Sequence, residues 1–185
     1  MASPFPFSHS FRLPCFALLA GTHFLVFGPD PAAAQPADVS GLTGPRAEAY
    51  QVLRTYLNGW QDRDLDRFEE VLAPDFVDYM YGSLRTREEL LEQASAPDLF
   101  ERIITIDDVL VDGEMAMVRM TTHITHPETG AEVAVVGMII ARIVDGKMIE
   151  GWGVHDRLGM LQQLGVVSPG PELQRTLDER FGGAR

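Results

Sequence analysis

Asp156, near the end of the chain, has a side chain suited to proton transfer. It follows a segment that reads as a strand and precedes a helical pattern. Because alternate side chains of a strand share a face, Trp152 and Asp156 are predicted on one face and His155 on the other, where an exposed histidine is the simpler interpretation. A carboxylate beside an indole in an apolar pocket could act as a general acid/base. Asp is also a favoured N-cap residue, and both roles could hold at once.

Further candidates come from the strands and from the first helix. His123 shares a predicted face with Met117, Arg119 and Thr121. If that face lines a cavity, His123 could bind a substrate carbonyl or shuttle a proton, while a solvent-facing histidine is the simpler interpretation. Aromatic, cationic and thioether side chains are candidates for substrate binding, with ordinary core packing as the alternative: Trp152, Tyr79, Tyr56, Trp60, Arg119 and Met138.

Several kinds of site lack the residues that they need. His123 and His126 fall on opposite faces of one strand, and no HExxH motif occurs, so we expect no metal site. The sequence contains no GxSxG motif, and its one cysteine excludes a CxxC pair or an internal disulfide. Gly-rich phosphate loops are absent as well.

The composition limits the partners. The chain has 185 residues, a formal net charge of −12 and a pI of about 4.7. Such a chain would be repelled by nucleic acid and by anionic lipid, and no basic cluster offsets the charge. We therefore expect the mature protein to bind neither nucleic acid nor membrane. The methionines at positions 80, 115, 117, 120 and 138 would instead suit a small hydrophobic ligand or substrate as partner.

The beginning of the chain is typical of a secretory signal. Arg12 precedes the apolar run of residues 13–27, and Ala32-Ala33-Ala34 provides an A-x-A cleavage site. Cleavage near Ala34 would remove Cys15 and deliver the protein to the periplasm or the exterior. We assign residues 1–34 to the signal, 35–45 to a linker, 46–166 to the folded domain and 167–185 to a C-terminal extension.

Helical patterns come first and strands follow. Amphipathic spacing predicts helices from Arg46 and from Leu65, the latter ended by Pro74, and a third over about 87–94 begins with the capping box of Thr86 and Glu89. Four strands over 102–111, 115–126, 132–144 and 148–155 are separated by tight turns, which predicts an antiparallel meander. The fold class is therefore α+β, with a curved sheet wrapped round the helices as a cone with a cavity.

Two stretches carry a family resemblance. AYQVLRTYLNGWQDRDLDRFEEVLAPDFVDYMYG, followed later by VAVVGMIIARIVDGKMIEGWGVHDRLGMLQQLG, resembles the SnoaL-like polyketide cyclases of the NTF2-like superfamily. The resemblance implies a cystatin-like α+β barrel and an intramolecular aldol ring closure without metal or organic cofactor. It also implies that Asp156 is the general acid/base.

Three hypotheses follow. The first is a cofactor-independent enzyme of cyclase or isomerase type that acts on a small hydrophobic carbonyl compound through Asp156. The second is a secreted, noncatalytic ligand-binding domain, which the leader favours. Epoxide hydrolysis ranks lower, because it needs two aspartates around an arginine and the same-face neighbours of Arg119 are Met117 and Thr121. The open face of such a sheet often pairs in this fold, so we expect a homodimer.

Overall fold

The computed structural model describes residues 35–98 and 100–182. The predicted signal over residues 1–34, with Cys15, lies outside the described residues. Within the described range, no helix is both long and apolar enough to cross a membrane. The elements in chain order are α1 Pro45–Asp62, α2 Leu65–Val71, β1 Leu72–Met80, β2 Ser83–Thr86, α3 Arg87–Ser95, β3 Glu101–Asp112, β4 Met115–Thr125, β5 Glu132–Val144, β6 Lys147–His155, α4 Arg157–Gln163 and α5 Gly170–Phe181.

The helices form where the apolar periodicity predicts them. The stripe of α1 is buried and includes Leu53, Tyr56 and Leu57. The capping box of α3 is confirmed, since the Thr86 hydroxyl accepts from the Glu89 amide and the Glu89 carboxylate accepts from the Thr86 amide. By contrast α5, in the C-terminal extension, buries none of its residues.

The four-strand meander is confirmed. Strands β3, β4, β5 and β6 pair antiparallel with their sequence neighbours. The turn between β5 and β6 has positive φ at Asp145 and Gly146, of 49° and 73°. Positive φ at both central residues defines a type I′ turn, which suits the twist of a hairpin.

The sheet extends beyond the predicted meander by two strands, one of which pairs parallel. Six strands form one sheet in the order β2-β1-β6-β5-β4-β3, and β1 pairs parallel with β6. Pro74 lies inside β1 rather than ending the helix before it. β1 pairs with the edge of β6 that β5 leaves unpaired. Because β1 and β6 are far apart along the chain, no local sequence pattern predicts their pairing.

The sheet is curled but unclosed, with β2 and β3 at its edges. Its concave face packs on α1, α2 and α3 around one hydrophobic core that includes Leu53, Phe68, Phe76, Leu90 and Val118. This arrangement confirms the α+β class and the cone shape. It also leaves a cavity between α1 and the far ends of the strands.

Candidate functional site

The cavity inside the cone has a volume of about 410 Å³. That volume falls within the range of pockets for small organic ligands. Its walls come from α1, α4 and the concave face of the sheet, and they are mostly apolar: Leu57, Trp60, Met80, Phe100, Ile104, Met120, Ile124, Val135, Ile139, Met160 and Leu161. An apolar body of ligand therefore fits the interior.

The polar lining of the cavity is basic. Arg85, Arg102, Arg157 and His155 line it, together with the neutral Tyr56, Tyr81, Gln93 and Thr122. No Asp or Glu is among the lining residues within 35–98 and 100–182. Any proton transfer performed by the described lining must therefore use a group other than a carboxylate.

His155 projects into the cavity from the end of β6. Its cross-strand partner is Gly137 on β5, and a Cβ at that position would lie 2.7 Å from the His155 Nδ1. The missing side chain at Gly137 thus makes room for the imidazole. Burial lowers the pKa of His155 below its ordinary value of 6.5, and the charges of Arg157 and Arg102 lower it further, against the opposing effect of Asp78. The ring is consequently neutral near pH 7 and able to accept a proton.

A buried ion pair supports the opposite wall. Asp78 on β1 is 2% exposed and faces its cross-strand partner Arg85, whose guanidinium donates to the carboxylate. The same guanidinium donates to Gln93 and lies 5.7 Å from the centre of the Trp60 ring. Arg85 is thereby fixed at the cavity wall.

Tyr56 provides a hydroxyl to the same wall. Burial raises the pKa of this phenol, and the charge of Asp78 raises it further. Tyr56 therefore stays protonated at physiological pH and can donate to an oxygen on which negative charge develops.

The mouth of the cavity is formed by Tyr81 and Arg157. Tyr81 lies in the turn between β1 and β2 with φ of 55°, a conformation that is uncommon for a bulky residue. Its ring lies 3.7 Å from the Arg157 guanidinium carbon and 6.2 Å from the His155 ring centre. The turn thus places an aromatic ring close to both the arginine and the histidine.

The family model for SnoaL-like polyketide cyclases matches residues 50–164. The chain belongs to this family. The matched segment runs from α1 to the end of α4 and contains all of the cavity lining described above.

Solved structures are similar to this chain. IdmH from Streptomyces antibioticus, described as a candidate polyketide cyclase, has a TM-score of 0.57 at 24% identity and covers 63% of this chain and 98% of its own. TsrD from Streptomyces laurentii gives 0.59 at 25% identity, over 68% of this chain and 100% of TsrD. An LEH-like epoxide hydrolase from M. tuberculosis gives 0.54 at 20% identity, over 65% and 91%. The comparison with curated proteins gives no match. These neighbours share the fold of the chain, and family membership supports a function of cyclase or isomerase type.

Asp156, the acid/base that resemblance to the SnoaL-like cyclases implies, lies outside the cavity. Its side chain is exposed, and it accepts a 2.8 Å hydrogen bond from the Gly159 amide as the N-cap of α4. The placement corresponds to the capping alternative. His155, which the strand pattern places on an exposed face, is half-buried and lines the cavity instead.

The predicted binding residues are divided between the two faces of the sheet. Tyr56 and Trp60 line the cavity. Trp152 and Tyr79 stack on each other on the convex face, with ring centres 5.7 Å apart, and Met138 lies beside them in a shallow groove. These three side chains therefore cannot contact a ligand inside the cone.

His123 and Arg119 also lie away from the cavity. On β4 the cavity-lining residues are Met120, Thr122 and Ile124, so the odd-numbered side chains face outwards. The condition for a role of His123, that its face of β4 lines the cavity, is not met, because the opposite face lines the cavity. The placement of His123 corresponds to the simpler interpretation of an outward-facing histidine.

Arg119 nevertheless bridges two carboxylates. A bulge between Ile106 and Asp108 places two consecutive aspartates opposite it. Arg119 donates to Asp107 at 3.0 Å and to Asp108 at 2.6 Å, and Thr121 donates to Asp107 at 2.8 Å. The same-face rule missed both aspartates because they come from the neighbouring strand. This cluster lies on the convex face, so it does not supply an epoxide hydrolase site in the cavity.

The sequence contains a signal for which face of β6 is turned towards the inside of the sheet. Gly151 and Gly153 alternate with Trp152 on β6, and a Cβ at either glycine would approach Phe76 or Met80. The two glycines therefore lie on the crowded, concave side of β6, whereas Trp152 lies on the convex side. In the described part of the chain, no group of three or more His, Cys, Asp and Glu side chains is placed to hold a metal ion.

Proposed function

We propose that the protein is an enzyme of cyclase or isomerase type that acts on a small hydrophobic carbonyl compound inside the cavity, with His155 as the acid/base. The observation that carries the proposal is the half-buried imidazole of His155 in a cavity whose walls are mostly apolar and whose other charged lining residues are arginines. The lowered pKa of His155 supports its role as a base. Family membership supports the reaction type.

The cavity groups suit an intramolecular aldol closure. His155 removes a proton from a carbon between two carbonyl groups, which leaves an enolate. The protonated Tyr56 hydroxyl and the Arg85 guanidinium stabilise the enolate oxygen. The enolate carbon attacks the second carbonyl to form the new C–C bond, and the imidazolium returns its proton to the resulting alkoxide. Both proton transfers are performed by side chains, so the proposed reaction requires no cofactor.

Asp156 is the competing acid/base, and a pair of variants separates it from His155. Asn is as good an N-cap as Asp, so Asp156→Asn preserves α4 while removing the carboxylate. We expect His155→Gln to lower turnover by about 10²–10⁴-fold, the usual contribution of general acid/base catalysis, and Asp156→Asn to leave it nearly unchanged.

The readout is the exchange of the acidic C–H protons of hydrophobic 1,3-dicarbonyl compounds for deuterium, followed by NMR. Exchange reports the first proton transfer and needs no knowledge of the final product. Loss of exchange in Asp156→Asn with full activity in His155→Gln would reverse the assignment in favour of the aspartate.

A noncatalytic ligand-binding domain is the second candidate. Asp156, the acid/base that the family resemblance implies, is exposed to solvent, so this carboxylate is not in the cavity to catalyse a reaction. This second candidate is favoured if the wild-type protein binds such compounds without exchange. The leader over residues 1–34 suggests a periplasmic or secreted protein, which N-terminal sequencing of the expressed product tests.

A further inference from the structure

The cavity has a charge opposite in sign to that of the chain. The chain carries −12, yet the cavity is lined by Arg85, Arg102, Arg157 and His155, with no acidic side chain from the described residues. We propose that the cavity binds a carboxylate-bearing amphiphile, with the carboxylate at Arg157 and the apolar part inside. The inference rests on the proposed function in that it names the substrate class of the same cavity.

Arg157 is the arginine with its charge available to a ligand. Arg85 is paired with Asp78 and Arg102 with Asp98. No carboxylate among the described residues lies within 4.0 Å of the Arg157 guanidinium. A guanidinium presents N–H donors in a planar fork that matches the two oxygens of a carboxylate.

Tyr81 holds Arg157 at the mouth. The guanidinium carbon lies 3.7 Å from the Tyr81 ring centre, close enough for a cation–π contact. Stacking occupies a flat face of the guanidinium and leaves its edge free to donate hydrogen bonds. The arginine is thereby oriented before a ligand binds, which reduces the entropic cost of binding.

The apolar interior of the cavity determines which end of the bound ligand lies inside. Met120, Ile139 and Leu57 are almost fully buried there, and the buried polar side chains beside them, Tyr56 and Thr122, are neutral. A carboxylate placed among them would be costly to desolvate, whereas a hydrocarbon or aromatic body would not. The charged group therefore stays at the mouth.

The lowered pKa of His155 is consistent with positive charge at the mouth of the cavity. Its pKa is lowered by burial, then by Arg157 and then by Arg102, while Asp78 on β1 acts in the opposite direction. A bound carboxylate would offset the two arginines and raise the pKa of His155. The ligand's own charge would thus make His155 a stronger base once the cavity is filled.

Calorimetric titration with three probes tests the proposal on the full chain at neutral pH: decanoate, decan-1-ol and acetate. We expect decanoate to bind about tenfold or more tightly than decan-1-ol, as for a charge-assisted hydrogen bond, and acetate to bind weakest. Decan-1-ol binding as tightly as decanoate would overturn the charge requirement. Acetate binding as tightly as decanoate would overturn the apolar part.

Two matched variants locate the carboxylate. Arg157→Gln should lower decanoate affinity about tenfold and leave decan-1-ol affinity unchanged. Arg180→Gln is the control, because Arg180 also stacks on an aromatic ring, Phe181, but lies on the exposed helix α5. An equal loss for both probes in Arg157→Gln would show that the arginine merely shapes the mouth and would overturn the proposal.

This binding test is independent of turnover. Charge-selective binding without deuterium exchange would refute the proposed reaction and keep the ligand class. Exchange of neutral dicarbonyl compounds without charge-selective binding would keep the reaction and refute the ligand class.

Discussion

The imidazole of His155 occupies the space that Gly137, its cross-strand partner, leaves empty. A Cβ at Gly137 would lie 2.7 Å from Nδ1 and 3.1 Å from Cε1 of the ring. A glycine inside a strand ordinarily weakens the strand, and it often marks a site that another group approaches closely. The neighbour is the proposed acid/base, and its orientation depends on the absence of a single methyl group.

Gly137→Ala should therefore impair catalysis more than stability. The added methyl displaces the ring, and a misplacement of about 1 Å can cost about 10²-fold in rate. The free energy of unfolding should change by about 1 kcal/mol or less, because the ring can swing aside and alanine suits a strand better than glycine. Deuterium exchange and urea denaturation measure the two effects. Gly41→Ala, in open space, is the control, and an unimpaired rate in Gly137→Ala would contradict the assigned role of the ring.

The pKa of His155 predicts a pH dependence of stability. Its pKa is lower in the folded state than the ordinary 6.5, so below that pH the unfolded chain binds more protons than the native one. The contribution of His155 to stability is thus complete above pH 6.5 and is lost as the pH falls through the folded pKa. His155→Gln should show a shallower decline of the free energy of unfolding in this window, as measured by urea denaturation at successive pH values. Parallel curves for the two proteins would contradict the lowered pKa.

Asp78 and Arg85 should be strongly coupled. Arg85→Met leaves the carboxylate of Asp78, 2% exposed, without its partner, and we expect a loss of about 3–5 kcal/mol in the free energy of unfolding. The double variant Asp78→Leu/Arg85→Met should recover most of that loss, because no buried charge remains. Arg142→Met is the surface control: its 2.8 Å pair with Glu150 is half-exposed and should contribute about 0–1 kcal/mol. Equal effects of Arg85→Met and Arg142→Met would refute the buried-pair argument.

The convex face of the sheet predicts self-association. Its apolar groove includes Tyr79, Met117, Met138, Ile140, Trp152 and Val154. Two ion pairs lie on the same face, Arg119 with Asp108 and Arg142 with Glu150, so positive and negative side chains are both present there. A surface with apolar and mixed charged regions can be self-complementary about a two-fold axis.

We therefore predict that the protein is a homodimer in solution and that Met138→Glu makes it monomeric. Light scattering after size-exclusion chromatography measures the mass. Val166→Glu, at an exposed apolar side chain away from the groove, should leave the dimer intact. A monomeric wild-type protein would rule out this interface.

Periodicity and turn chemistry sufficed for most of the elements. The stripe of α1, the capping box of α3 and the Asp-Gly turn before β6 are local signals, and each is read from a few adjacent residues. The parallel pairing of β1 with β6 is not local, because β1 and β6 are separated by five intervening elements. Nothing within either strand specifies that partner.

The site was harder to predict for a different reason. Alternation correctly separates Trp152 from His155, but it does not say which face of β6 is concave. Trp152 and Val154 offer more apolar area than Gly151 and Gly153, so area alone favours the wrong face. Neighbouring side chains decide instead, since Phe76 and Met80 of β1 lie over the concave side of Gly151 and Gly153 and leave no room there for a larger residue, whereas His155 lies at the end of the strand.

The size of the cavity and its chemistry depend on different residues. Met80 lines the cavity and reaches across Gly153, where an added Cβ would lie 2.5 Å from its methyl carbon. The proton-transfer and charged groups lie elsewhere, at His155 and at the mouth. Substitutions at Gly153 of β6 or Met80 of β1 could therefore change the size of the substrate that the cavity accepts during evolution. The residues that transfer protons and bind charge would stay the same.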